Sequence, residues 1–182
     1  GFDHAVVALL AGGPLGPRLA EAGIPVTEVG IGPLAPLRIA RRIRTWRPAL
    51  CQGWMYHGNM AALAGWTLAG CRVPLGWGVH HCPEPSLGHE SPSTKLLIRA
   101  SGRLSSAPRA IVYCSRTSMD VHENELGYDP TRSVLIPNGF DCEVLQPCAE
   151  AGVALRRELG LPSSTVLIGN VARYHPMKDH AN

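Results

Sequence analysis

Two basic residues near the end of the chain have the spacing of an anion-binding site. Arg173 directly follows the apolar run 165–172, and Lys178 comes five positions later, at the predicted start of a helix that has Pro176 among its first residues. A guanidinium and an ammonium group beside a helix N-terminus favour a bound anion, and a diphosphate fits such a site. The same two residues are also compatible with a solvated turn, so the local pattern leaves both interpretations open.

A scaffold of alternating strands and helices has to position these side chains. Short runs rich in Val, Ile and Leu alternate with segments of helical periodicity, and the runs are nearly continuous in apolarity, which is typical of strands buried on both faces. We predict strands over 4–10, 25–29, 49–54, 73–79, 110–114, 133–136 and 165–172. We predict helices over 15–22, 37–46, 59–69, 94–104, 117–126 and 153–159. The alternation predicts an α/β fold, a parallel sheet with helices on both faces.

In such a sheet, ligands bind beyond the carboxyl ends of the strands. The loops that follow strands are therefore the ones in which we expect functional residues. They are predicted at 11–14, 55–57, 80–92, 114–116 and 173–178.

The composition excludes several classes of protein. Hydrophobic residues make up 45% of the chain and charged residues 17%, which excludes a disordered protein. The net charge of +3 is too small to support nucleic-acid binding by itself. The six cysteines include no CxxC pair, so we expect a reducing compartment and neither a disulfide framework nor a zinc knuckle. No run of about 18 apolar residues predicts a membrane-spanning helix.

Three segments, in this order and at this spacing, resemble the domain junction of GT-B glycosyltransferases of family 4. They are Ile-Pro-Asn-Gly-Phe-Asp at 136–141, Leu-Arg-Arg-Glu-Leu-Gly-Leu-Pro at 155–162, and Gly-Asn-Val-Ala-Arg-Tyr-His-Pro-Met-Lys-Asp-His at 169–180. Upstream, Trp-Met-Tyr-His-Gly-Asn at 54–59 and Trp-Gly-Val-His-His at 77–81 are similar to the same family. The resemblance covers nearly the whole chain from about residue 12 onward.

This resemblance implies two Rossmann-like domains that face a cleft, with the acceptor in the first and a nucleotide sugar in the second. The domains are predicted at 1–137 for the acceptor side, 138–150 for a linker and 151–182 for the start of the donor-binding domain, including its first strand. The family's Glu-x7-Glu motif and the first strand of the acceptor side are expected outside the chain. We therefore expect the chain alone to be inactive.

The resemblance also assigns residues to the donor. Arg173 and Lys178 would bind the diphosphate and stabilise the departing nucleoside diphosphate, which is electrostatic catalysis that needs neither a metal nor another cofactor. His80 or His81 would lie near the donor sugar or the acceptor, and the sequence does not decide between them. Asn138 and Gly139, in a predicted tight turn at the cleft, would contact the donor.

The resemblance is less specific about the residues that bind the acceptor. Tyr56 and His57 follow a strand and would line the acceptor pocket, since an aromatic ring with a polar tip suits a sugar; ordinary packing explains them equally well. The predicted helix at 37–46 and the residue after it carry a polar face of five arginines, Arg38, Arg41, Arg42, Arg44 and Arg47. Such a face fits an anionic membrane surface, and it also fits a solvated helix.

The predicted function is transfer of a sugar from a nucleoside diphosphate to an acceptor hydroxyl of a glycan or lipid-linked molecule. The resemblance implies retention of anomeric configuration, a role in polysaccharide, lipopolysaccharide or glycolipid synthesis, and a cytoplasmic location with peripheral contact on the inner face of the membrane. A nucleotide-sugar epimerase, a phosphorylase of the same architecture and a non-catalytic sugar- or nucleotide-binding module remain alternatives.

Overall fold

The computed structural model describes residues 1–70, 72–84, 87–88, 90–174, 178 and 180. The strands are β1 (Val6–Ala8), β2 (Val26–Glu28), β3 (Cys51–Trp54), β4 (Leu75–Val79), β5 (Ala110–Tyr113) and β6 (Ser133–Leu135). The helices are α1 (Leu15–Glu21), α2 (Ala35–Trp46), α3 (Met55–Leu68), α4 (Pro92–Arg103), α5 (Arg116–Asn124) and α6 (Ala149–Glu158), with a short 3-10 helix at Pro130–Arg132. The chain divides into two compact units, Gly1–Asn138 and Gly139–Asn182.

All strand pairs in the described residues are parallel, as the alternation predicts. β1 pairs with β2 in a two-stranded sheet, and β3, β4, β5 and β6 form a second sheet in sequence order. Each neighbouring pair is connected through a helix or helices, which is the βαβ arrangement expected of parallel strands. The carboxyl ends of β3, β4 and β5 therefore lie side by side at one edge.

The core of the first unit lies against the central strands of the larger sheet. Leu75, Trp77 and Val79 alternate along β4 and are fully buried together with Ile111 and Tyr113 of β5. Side chains of α3 and α5 pack on this cluster. Continuous burial of β4 explains why its sequence is apolar almost throughout.

A close helix contact holds α2 against α3. Ile39 and Ala40 of α2 are buried, and Gly65 of α3 lies where a Cβ atom would come within 2.3 Å of Ile39 Cγ2. Arg44 of α2 donates a hydrogen bond to the carbonyl of Leu68, at the C-terminus of α3, where a cation is favoured. Gly65 therefore allows the two helices to pack closely, and Arg44 provides a hydrogen-bond donor for a carbonyl group at the end of α3.

Two predictions about secondary structure were wrong. Residues 55–57 were predicted as a loop but form the first turn of α3, because the chain enters the helix directly from β3. Residues 165–172 were predicted as a strand but form no ladder, and Val166, Ile168 and Val171 are exposed. A strand needs a neighbour for its N–H and C=O groups, and the described part of the second unit contains no other strand.

The second unit is described by helix α6 and the segments around it. Cys148 accepts a hydrogen bond from the amide of Ala151 at the start of the helix. The Arg156 guanidinium donates to the carbonyl oxygens of Gly152 and Thr165, both at 3.2 Å. The second of these bonds ties the segment after the helix to the helix itself.

Candidate functional site

An exposed pair of rings marks the carboxyl edge of the larger sheet. Trp54 ends β3 and His80 follows β4, and the register of the two strands pairs Trp54 with Gly78. Their rings stack with centroids 4.3 Å apart and an interplanar angle of 18°. The Trp54 side chain is 57% exposed and His80 is exposed as well. An aromatic face next to an imidazole is thus open to solvent at the edge where ligands of parallel sheets bind.

The backbone at the junction of β3 and α3 is tightly constrained. Met55, the first residue of α3, has φ of 60°, a conformation that residues other than glycine adopt rarely and that clusters at functional sites. A Cβ atom on Gly53 would lie 2.5 Å from Asn59 Cα, so only glycine allows the strand to approach the helix this closely. Met55 Sδ also accepts a hydrogen bond from the His80 amide at 3.2 Å. The junction therefore constrains the backbone on either side of Trp54 and contacts the backbone of His80.

His81 is held from two sides. Its Nε2 lies 2.9 Å from Glu90 Oε1, and its carbonyl oxygen accepts a hydrogen bond from Ser118 Oγ at 2.6 Å. Its ring also meets that of Tyr56 edge to face, with centroids 6.1 Å apart. These contacts connect the loop after β4 to α3 and α5, so His81 anchors the loop that presents His80.

A buried pair of polar side chains lies beneath this loop. The Tyr56 hydroxyl is 2.9 Å from His122 Nε2, and His122 Nδ1 is 2.6 Å from the carbonyl oxygen of Ser118. Because a carbonyl only accepts, Nδ1 carries the proton, and Nε2 accepts the hydrogen bond that the Tyr56 hydroxyl donates. Tyr56 is 3% exposed and His122 is fully buried.

Burial controls the charge of both groups. It lowers the pKa of His122 to about 4, outweighing the opposite effect of the hydrogen bond to the Ser118 carbonyl. Burial likewise raises the pKa of the Tyr56 hydroxyl, with smaller contributions from Tyr128 and Glu90. Both side chains are therefore neutral at physiological pH, and the pair acts as an uncharged support.

Comparison with known proteins shows which family the chain belongs to. The family model described as "Glycosyltransferase Family 4" matches residues 1–144. The chain belongs to glycosyltransferase family 4. This family 4 chain is 38% identical over 47 residues to EpsF of Bacillus subtilis (strain 168), a match that covers 26% of the chain and 12% of EpsF.

Solved structures of HepE from Anabaena share the fold. The complex with UDP and glucose superposes with a TM-score of 0.64 at 23% identity, and the complex with UDP-glucose with a TM-score of 0.66 at 20% identity. Both matches cover 85% of this chain and 42% of HepE, so the family 4 chain spans less than half of the HepE length. The likeness shows that the α/β fold is Rossmann-like.

Of the two residues predicted to line the acceptor pocket, His57 is exposed and Tyr56 is buried. His57 is exposed on the first turn of α3, three residues after Trp54. Tyr56 points inward and bonds to His122, so in this structure it supports the loop from beneath and does not line a surface pocket. The reason is the helical turn itself, which sends consecutive side chains in different directions.

The predicted donor residues lie at and beyond the boundary of the two units. Asn138 and Gly139 are exposed, and the turn expected there begins instead at Asp141, whose Oδ1 accepts from the amides of Glu143 and Val144. Arg173 and Lys178 are exposed and form no ion pair within the described residues. Pro176, predicted at the start of a helix, lies outside those residues.

Near the predicted diphosphate site, His180 contacts Arg173 and Tyr174. His180 Nε2 lies 2.9 Å from the Arg173 carbonyl oxygen, and the His180 ring stacks on Tyr174 with centroids 5.7 Å apart. Arg173, Tyr174 and His180 are therefore close to one another. Convergence of the Arg173 and Lys178 side chains stays a prediction.

Several residues of the site were not recognised from sequence. They are Trp54, Glu90, Ser118 and His122. Ser118 and His122 are four positions apart on α5 and so share one face of the helix, a signal that was available. Their partners lie on other elements, and nothing local shows that this face meets Tyr56 and the loop after β4.

Two further properties concern the described residues alone. They contain no group of three or more His, Cys, Asp or Glu side chains arranged to hold a metal ion. None of their helices is long and apolar enough to cross a membrane.

Proposed function

We propose that the protein containing this chain transfers a sugar from a nucleoside diphosphate sugar to an acceptor hydroxyl. Family 4 membership supports this activity, and the exposed stack of Trp54 and His80 at the carboxyl edge of the sheet supports the place where it occurs. HepE, a structural neighbour, has been solved with UDP-glucose, so UDP-sugars are the first donors to test.

The stacked rings suit a sugar substrate. The exposed face of Trp54 offers an apolar surface for a sugar ring, and the exposed imidazole of His80 offers hydrogen bonds to a hydroxyl at the reacting position. His81 is engaged with Glu90 and Ser118 and acts as a positioning residue. This division of roles favours His80 as the residue that contacts the substrate, with the exposed His57 as a residue of the acceptor side.

The second part of the proposal concerns the donor. Arg173 and Lys178 bind the diphosphate and offset the charge that develops on the leaving nucleoside diphosphate, with Asn138 and Gly139 as further donor contacts. The two cations are exposed and have no carboxylate partner in the described part of the chain, which leaves them available to an anion. In this proposal the reaction needs no metal ion and no cofactor, and it retains the anomeric configuration.

The acceptor is proposed to be a glycan or lipid-linked molecule of an envelope polysaccharide, lipopolysaccharide or glycolipid, used by a cytoplasmic enzyme at the inner face of the membrane. Support comes from the exposed arginines of α2. Arg38 and Arg44 bind backbone carbonyls of neighbouring elements. Arg41, Arg42 and Arg47 remain exposed to solvent and could meet anionic lipid headgroups.

Thermal unfolding of the full-length protein with nucleotide sugars tests the donor site. Saturating UDP- or GDP-sugar should raise the melting temperature, since a ligand at 100 times its Kd stabilises by about 2.7 kcal/mol. Arg173→Ala combined with Lys178→Ala should abolish the rise. The control is Arg99→Ala combined with Arg103→Ala, which removes two exposed positive charges from α4 and should leave the rise intact. If no nucleotide sugar raises the melting temperature of the wild type, the proposed function is wrong.

A further inference from the structure

Three arginines converge at the edge of the sheet opposite the candidate site. Arg109 and Arg132 each directly precede a strand, β5 and β6, and Arg72 lies three residues before β4. Because neighbouring parallel strands begin at the same edge, these three positions lie close together. All three line one open pocket of about 260 Å³.

Apolar side chains line this pocket beside the three arginines. Trp66, Pro74 and Pro108 contribute to the lining. The Trp66 Nε1–H already donates a hydrogen bond to the carbonyl oxygen of Val73 at 2.9 Å. The backbone amide of Arg109 donates to the carbonyl oxygen of Leu75 at 2.7 Å. The hydrogen-bond donors that remain for a ligand are therefore the guanidinium groups of the arginines.

The positive charge of the pocket is only partly balanced. Asp129 lies 3.9 Å from Arg132 Nε, and hydrogen bonds from Thr131 lower the pKa of its carboxyl, which keeps it ionised. Arg72 and Arg109 have no ion pair within the described residues, and the lining contains no carboxylate. Three like charges at one pocket repel one another unless an anion joins them.

We propose that this pocket binds a phosphate group, either of a free phosphate or of a phosphorylated headgroup. Planar guanidinium groups match phosphate oxygens in pairs, which makes arginine well suited to such an anion. The volume of about 260 Å³ lies below the roughly 300–1,000 Å³ of pockets that hold larger ligands. The pocket thus fits a small anionic group rather than a whole nucleotide sugar.

Titration of the full-length protein with inorganic phosphate tests the proposal, with melting temperature and calorimetry as readouts and sodium chloride at matched ionic strength as reference. Phosphate should raise the melting temperature above the chloride reference. Arg72→Ala and Arg109→Ala should each weaken phosphate binding at least tenfold, whereas the exposed Arg99→Ala on α4 should leave it unchanged. Both targeted arginines are exposed, so their loss should not prevent folding.

Two further experiments distinguish this site from the proposed donor site and show whether the bound phosphate belongs to a free anion or to a lipid headgroup. Arg173→Ala with Lys178→Ala should keep the phosphate response, which shows that the response does not arise at the diphosphate motif. Co-sedimentation with phosphatidic acid vesicles, weakened by Arg72→Ala, would identify a lipid headgroup; phosphate binding without vesicle binding would identify a free anion. The proposal is overturned if phosphate has no effect beyond chloride, or if Arg72→Ala and Arg109→Ala retain the full response.

Discussion

At the scale of single residues, the two adjacent histidines after β4 have different environments. His80 is exposed and stacked on Trp54, whereas His81 is tied to Glu90 and Ser118. If His80 bonds a substrate hydroxyl as proposed, His80→Ala should lower kcat/KM of the full-length protein about 100-fold. The free energy of unfolding should change by less than about 0.5 kcal/mol, since the side chain is at the surface.

The comparison variant is His4→Ala, which removes an exposed histidine remote in sequence from the site. Initial rates with a UDP-sugar and urea denaturation measure the two effects. A His80→Ala enzyme whose kcat/KM stays within twofold of the wild type would remove His80 from the proposed mechanism.

A second prediction at this scale concerns the buried His122. Burial lowers its pKa from 6.5 to about 4, so between these pH values the unfolded chain binds a proton that the folded chain does not. The free energy of unfolding should therefore rise with pH across this window. Acidification from pH 7 to pH 4 should remove about 3 kcal/mol through this histidine.

Urea denaturation at several pH values between 4 and 7 measures this slope. His122→Gln should flatten it, while His57→Gln, which changes an exposed histidine, should not. NMR titration of the His122 ring in the wild type gives an independent reading even where the variant folds poorly. A ring that becomes protonated near pH 6.5 would contradict the prediction.

At the scale of elements, α3 is the helix that connects the site to the rest of the unit. Its first turn presents Tyr56 and His57, and Gly65 near its other end meets Ile39 of α2. Gly65→Ala would place a Cβ atom 2.3 Å from Ile39 Cγ2, inside a buried contact. We expect this overpacking to lower the free energy of unfolding by about 1–3 kcal/mol, despite the better helix propensity of alanine.

The same helix supplies the control. A Cβ atom on Gly58 would have Trp54 Cβ at 3.9 Å as its nearest neighbour, an ordinary contact. Gly58→Ala should therefore raise the free energy of unfolding by about 0.5–1 kcal/mol. Denaturant midpoints measure both variants, and equal effects of the same sign would show that the contact between α2 and α3 does not limit the packing.

At the scale of the whole molecule, the distribution of charge matters more than the net charge of +3. Arg41 and Arg42 lie on the exposed side of α2, and each basic residue near an anionic bilayer contributes about 1 kcal/mol. Arg41→Gln combined with Arg42→Gln should therefore weaken binding of the full-length protein to phosphatidylglycerol vesicles about thirtyfold, with the Arg99→Ala, Arg103→Ala variant as control. Co-sedimentation that is equally strong for all three proteins would place the membrane contact elsewhere or exclude it.

The sequence by itself determined the parallel α/β architecture of the first unit. Apolar runs and helical periodicity are local, so the six strands and four of the five helices were predicted to within about two residues of their observed bounds, whereas α3 begins four residues earlier than predicted. Helix ends are local as well: the Ser115 side chain accepts a hydrogen bond from the Ser118 amide at the start of α5, and Gly127, shortly after that helix, has a positive φ of 71°. The motifs that resemble family 4 are local patterns as well, and the family was predicted correctly from them.

Only the tertiary structure decided which side chains meet. Tyr56 and His122 are 66 positions apart, and their bond depends on how α3 and α5 both pack beneath the loop after β4. The apolar run at 165–172 shows the converse: its pattern favours a strand, but a strand exists only where another strand takes its hydrogen bonds, and the described part of its unit holds none. Contacts between distant segments are set by packing and pairing, which no single stretch of sequence contains.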